Sequence, residues 1–249
     1  MAIPFCLCAQ HDAVLYHQRI HLGVSGRRTV FMRRTKQIIP IALILVVAAA
    51  WAAFDLWSPR STSLRQFDPD NTARLETDMW RSYYDKERLR LFNELAVLLR
   101  QQYHMPLLRS YVVAFHAAKA AFVSKDGTTR SDYERALPDL IEYYTAIRRI
   151  SDTPFDVPEA ARLELEWWIV HRQRDLHAPG DLDSALAALA AEIYQMPADR
   201  FREHAKYRAE AMILRDQLWE QNGVTEADWQ KINQLLLQSW RSLWRAVNP

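Results

Sequence analysis

Residues 38–54 read IIPIALILVVAAAWAAF, 17 positions with no charge and no strongly polar side chain, and no other stretch of the 249-residue chain resembles it. At 1.5 Å per residue, a helix of that length covers about 25 Å; Gln37, Leu56 and Trp57 at its edges bring it to the ~30 Å of a bilayer's hydrocarbon core. Arg27, Arg28, Arg33, Arg34 and Lys36 precede it, and Asp55 and Pro59 follow. That asymmetry puts the N-terminal side in the cytoplasm and the 192 residues after Trp57 outside. Trp51 and Trp57, near the outer end, suit an interfacial aromatic belt. The expectation is a single-pass signal-anchor in the cytoplasmic (inner) membrane, with Ile38–Phe54 as the lipid-contacting stretch and an extracytoplasmic, periplasmic domain.

A second reading starts the chain at Met32. Then MRRTK is a basic leader, Ile38 to Val47 the apolar region and Ala50-Trp51-Ala52 an A-x-A cleavage site, which together make a secretory signal peptide. The apolar run exceeds the usual length of such a region, which favours the uncleaved anchor. Residues 1–36 read as a basic tail, disordered or upstream of the true start. Cys6-x-Cys8 within it supplies two ligands where a structural zinc takes four. The expected organisation is therefore 1–36 tail, 37–57 anchor or signal sequence, 58–71 linker and 72–249 helical domain.

Charge and cysteine content exclude several functions for the exported part. Residues 1–57 hold six of the 32 basic and two of the 30 acidic residues, leaving 26 against 28 beyond them. That balance, with signs interspersed, lacks the basic footprint of nucleic-acid binding, so no nucleic-acid partner is expected. No cysteine follows Cys8, so disulfides, thiolate zinc sites and a cysteine nucleophile are absent from this part.

Glycine is scarce, five in the whole chain, which is about 2% against an ordinary ~7%. The three beyond the apolar stretch, Gly127, Gly180 and Gly223, fall in turn sequences between helical patterns. Apolar spacing of 3 and 4 predicts seven helices. The first runs from Thr72 to Tyr103. The second, Leu107 to Val123, carries an apolar stripe of Tyr111, Phe115, Ala118 and Phe122. The third starts at a Ser131–Glu134 capping box and ends near Ile150. The fourth opens on Asp156-Val157-Pro158-Glu159 and runs to about Arg174, and the fifth, capped by Asp181, covers Leu182 to Tyr194. The sixth spans Pro197 to Gln221, and the seventh starts at a Thr225–Asp228 box and ends near Val247. The exported part is expected to be an all-α, bundle-like domain whose seven tryptophans fall mostly on apolar stripes, packed with their N–H groups partnered rather than forming an aromatic ligand cage.

No motif marks an activity. The residues three before the histidines of this part are Gln101, Val113, Trp168, Arg174 and Phe201, none of them the glutamate of a di-iron bundle. The zinc-protease, nucleophile-elbow, phosphate-loop and haem signatures are missing too, and no cofactor is evident. What remains is a polar cluster among aromatics. Glu164, Trp168, His171 and Asp175 share one face of the fourth helix, and His204, Arg208, Ala211 and Arg215 one face of the sixth. Convergence of Glu164, His171 and His204 beside Tyr83 or Tyr84 would make a metal site or an acid–base pair; the competing reading is that these are structurally satisfied side chains. The doublets Tyr83-Tyr84, Tyr143-Tyr144 and Trp167-Trp168 point the other way. Adjacent helical residues diverge by about 100°, so one of each pair can enter the core and leave the other for a partner, with Tyr84, Tyr144, Trp168 and Arg172 as the interface candidates; the equal alternative is that both members are buried within the domain. The favoured function is a protein-interaction or accessory scaffold subunit of an envelope complex. A ligand-binding helical domain and a metal-assisted enzyme are the alternatives.

Overall fold

The structure, a computed structural model, describes residues 27–221 and 223–249. The chain divides into two compact units, residues 1–49 and 50–249. Helix α1 (Arg27–Trp57) makes up the described part of the first and reaches into the second. The tail expected at 1–26, with its Cys6-x-Cys8 pair, lies outside the described residues. Within α1, the window Pro40–Trp57 is long and apolar enough to cross a membrane, and only 6% of it is buried, so the domain core does not use it.

The second unit is all-α. Among the described residues nine further α-helices follow: α2 (Pro69–Tyr84), α3 (Arg88–Tyr103), α4 (Leu107–Ser124), α5 (Arg130–Glu134), α6 (Leu137–Ile150), α7 (Val157–Arg172), α8 (Asp181–Tyr194), α9 (Arg202–Gln221) and α10 (Glu226–Val247). Their starts are written in local chemistry. Asp68 caps α2 by accepting from the amides of Asp70 and Asn71, with Pro69 in the first turn, and Asp156 caps α7 by accepting from Glu159. Thr225 and Asp228 form a reciprocal capping box on α10. Gly180 (φ 94°) and Gly223 (φ 89°) take the left-handed turns before α8 and α10.

Three expectations about the helices are corrected. The helix predicted over 72–103 is two, because Lys86 adopts a left-handed φ of 61° and the chain reverses at 85–87. A single rod of that length would be about 48 Å long, whereas the reversal packs α2 on α3. The capping box predicted at Ser131–Glu134 is formed instead by Thr129 and Asp132. It starts only the five-residue α5; α6 begins afresh with Pro138, which lacks an N–H, in its first turn. The stripe predicted to bury α4 faces outward in part, Phe115 being 54% and Phe122 64% exposed. The buried positions of α4 are Ser110, Val113, Ala114, Ala120 and Ser124, small side chains that let it approach α3 and α6 closely.

Apart from short α5, each helix from α2 to α10 packs on its chain neighbours, with α4 meeting α6 directly, and α10 closes the circuit on α2. Residues 58–68 join this body. Thr62 forms an isolated parallel bridge with Ser151, its N–H bonding Ile150 O at 2.7 Å, while Leu64 is fully buried. Among the seven tryptophans of this unit, Trp229 and Trp240 are buried and Trp80, Trp167 and Trp168 half-buried, but Trp219 and Trp244 are exposed, so the expected core role fits most of them and not these two.

Candidate functional site

Glu164, His171 and His204 have separate partners. Glu164, on α7, accepts from the Tyr144 hydroxyl at 2.7 Å and from Trp168 Nε1 at 2.9 Å, the second contact following from i, i+4 spacing. His204, on α9, is buried against α10. Its Nδ1 lies 3.1 Å from the Ser239 carbonyl, and the Ser239 hydroxyl donates to the His204 carbonyl at 3.0 Å. Burial first, then the charge of Arg208, push the His204 imidazole down to about 3, so it is neutral. His171 turns to α9, where its Nε2 sits 3.1 Å from Oδ2 of Asp216 without aiming an N–H at it.

The metal or acid–base trio is therefore corrected. Glu164 and His171 share a face of α7 but stand seven residues, or about 10 Å, apart along its axis, and His204 is committed to Ser239. Among the described residues, no group of three His, Cys, Asp or Glu side chains is placed to hold a metal ion.

Sequence reasoning missed an ion pair between a fully buried carboxylate and a mostly buried guanidinium. Glu76 of α2 receives both guanidinium nitrogens of Arg208, at 2.8 and 2.5 Å, and Trp240 Nε1 of α10 at 2.6 Å. Burial alone works against the charge of Arg208, but Glu76 outweighs it and the guanidinium is held above its ordinary value. Glu76 stands inside an otherwise apolar and hydroxyl stripe of Thr72, Ala73, Leu75 and Thr77, and nothing in that local pattern marks it as one end of a bridge to residues 132 and 164 positions away.

A second cluster reaches the surface. Tyr83 and Tyr84 end α2 with their rings edge-to-face at 5.0 Å. The guanidinium of Arg215, on α9, lies on the Tyr84 ring and 5.2 Å from the Trp219 ring centroid. Asp216 accepts from Arg174 Nη1 at 2.9 Å and Arg215 Nη1 at 3.3 Å, and Arg174 also reaches Glu220 at 2.7 Å. Burial would raise the Asp216 carboxyl, yet His171 and Arg215 overcome it and hold the group below its usual range. Burial also pushes the Tyr84 phenol up to about 12. Trp219 is 58% and Tyr83 45% exposed, while Nε of the buried Arg215 side chain has no partner among the described residues.

The four expected interface residues fare differently. Tyr144 is 3% exposed, so its assignment to a surface is overturned: its hydroxyl is spent on Glu164 inside the circuit. Trp168 is half-buried on the same carboxylate. Tyr84 is half-buried under Arg215, and its neighbour Tyr83 is the exposed member of the pair. Arg172 is exposed but donates to the carbonyls of Ser124 and Lys125 at 3.4 and 2.7 Å, closing the end of α4. Trp219, which heads the exposed group, stands i+4 from Arg215 on the face that also carries His204 and Arg208, and that spacing was the one available signal.

A shallow groove of about 530 Å³ runs between α7 and α8, lined by Glu159, Leu163, Ala188, Glu192 and Met196 among others. It carries no aromatic ring and no histidine. No family model, curated protein or solved structure matches this chain.

Proposed function

We propose that the chain is a single-pass, membrane-anchored helical protein that acts as an interaction or accessory subunit at the outer face of the cytoplasmic membrane. The apolar, unburied window Pro40–Trp57 supports the anchor, and the five basic residues before it favour a cytoplasmic N-terminal side. The domain beyond it works through its surface.

The observation that carries the interaction reading is the Trp219–Arg215–Tyr84–Tyr83 group. Trp, Tyr and Arg are the residue types that dominate binding hot spots. Here a buried Arg215 stacks on half-buried Tyr84 and on exposed Trp219, and Tyr84 in turn meets exposed Tyr83 edge-to-face, so little side-chain freedom is lost when a partner arrives. A photo-reactive amino acid substituted for Trp219 in native membranes tests this. The expected result is one predominant covalent adduct with another protein; illumination that yields no adduct above that of an unsubstituted control refutes the interaction reading.

A further inference from the structure

Helix α4 leaves one face uncovered, and the chain fixes where that face begins. Asp55, two residues before the end of α1, is buried and accepts from the backbone N–H of Leu108 at 2.9 Å and of Arg109 at 3.1 Å. Arg109 returns two bonds, from Nη2 to the carbonyls of Asp55 and Ser58, each at 3.0 Å. Three hydrogen bonds thus tie the first turn of α4 to the last turn of the apolar helix, and a fourth to Ser58 just past its end.

Exposed apolar side chains follow from that tie at Val112, Phe115 and Phe122, with Lys119 between them. The spacing of 3, 4 and 3 keeps all four on one face. At 1.5 Å per residue, Val112, Phe115 and Phe122 stand about 6, 10 and 21 Å along α4 from Leu108, a row longer than the headgroup layer is deep, so all three meet that layer when α4 runs along the membrane plane. Scattered exposed hydrophobics are ordinary, but an aligned row of two phenylalanines and a valine on one helix is a contiguous patch.

We propose that α4 lies in the interfacial layer of the membrane that α1 enters, with Val112, Phe115 and Phe122 directed into the acyl boundary as in an amphipathic interfacial helix. This rests on the reading of α1 as a membrane anchor. The nearby cations are already matched: Lys119 pairs with Asp139, which also faces His116, and Lys125 pairs with Asp126 while its ammonium lies over the Phe122 ring. Apolar side chains therefore carry the contact, and it needs no anionic lipid. The lysine stems can lie along the apolar row with their heads in water.

The test uses the full chain, with Cys6 and Cys8 replaced by serine, reconstituted in phosphatidylcholine vesicles. Single nitroxide labels go on Phe115→Cys, Phe122→Cys and, within α1, Ile44→Cys, and circular dichroism checks helix content. The expected result is that labels at 115 and 122, like that at 44, collide with oxygen several-fold more often, relative to a water-soluble nickel complex, than free label in buffer does. A lipid signal at 44 with a buffer-like ratio at 115 and 122 overturns this inference and leaves the anchor standing. Low collision with both reagents at 115 and 122 means protein covers the face, which also overturns it. A buffer-like ratio at 44 removes the anchor and this inference together.

Discussion

Two clusters of the same residue types occupy opposite environments in this domain. Around Glu76, a carboxylate, an arginine and a tryptophan close on one another inside the helix circuit, each polar group answered. Around Asp216, a carboxylate, two arginines, a histidine, two tyrosines and a tryptophan gather at the ends of α2, α7 and α9, where two rings stay exposed and one guanidinium nitrogen has no partner among the described residues. The first arrangement spends all its bonding capacity on the fold. The second leaves the Trp219 and Tyr83 rings open to solvent, and this difference, rather than residue type, separates structure from candidate function here.

The largest effect that would break the contrast is expected from Glu76→Ala. It leaves the mostly buried Arg208 charge unpaired, at a cost of about 3 kcal/mol in urea denaturation, the low end of the range for breaking a buried pair. A Glu76→Met/Arg208→Met double variant should recover most of that loss, because removing both charges abolishes the burial penalty along with the attraction. A double variant no more stable than the single one would show that the pair is not acting as a unit.

His204 sharpens the contrast through pH. Its folded value of about 3 lies below the ordinary 6.5, so the unfolded chain takes up a proton that the folded chain refuses. The contribution is intact above pH 6.5 and is lost as pH falls toward 3, by about 1.4 kcal/mol per pH unit. Stability measured from pH 7 to 4 should show that extra slope in the native protein and lose it in His204→Gln.

Asp216→Asn comes next. Removing the charge that Arg174, Arg215 and His171 share should lower stability by about 1 kcal/mol in the same denaturation assay, less than for Glu76 because the site is partly solvated. The smallest stability effect belongs to Trp219→Ala, within about 0.5 kcal/mol of the native protein as for other exposed positions, although the same change is expected to abolish the photo-trapped partner's binding. A Trp219→Ala loss as large as that of Glu76→Ala would erase the distinction between the two clusters.

What could be read in advance was local. The capping box at Thr225, the cap at Asp156 and the apolar window before Asp55 each lie within a few residues of one another, and the structure carries them as the sequence implies. The Glu164–Trp168 contact needed only i, i+4 spacing. Closure of the circuit by α10 on α2, and the bridge from Glu76 to Trp240, join residues 164 apart, and periodicity holds no information on such distances. Periodicity also misled at α4, where large apolar residues recur on the outward face and the buried face, apart from Val113, is made of the small Ser110, Ala114, Ala120 and Ser124, which no hydrophobic pattern singles out. At Lys86 the pattern ran straight through a chain reversal, since α2 and α3 both bury apolar stripes and no glycine marks the left-handed residue between them.

The central claim, a membrane-anchored subunit with a protein partner, is tested most directly by extracting the protein from its native membrane in mild detergent and sizing it under native conditions. The account predicts that it stays with the membrane through a carbonate wash and then migrates with a reproducible second protein, well above the 29.2 kDa of the chain once the detergent contribution is subtracted. Release by carbonate would contradict the anchor, and migration of the extracted chain alone would contradict the partner.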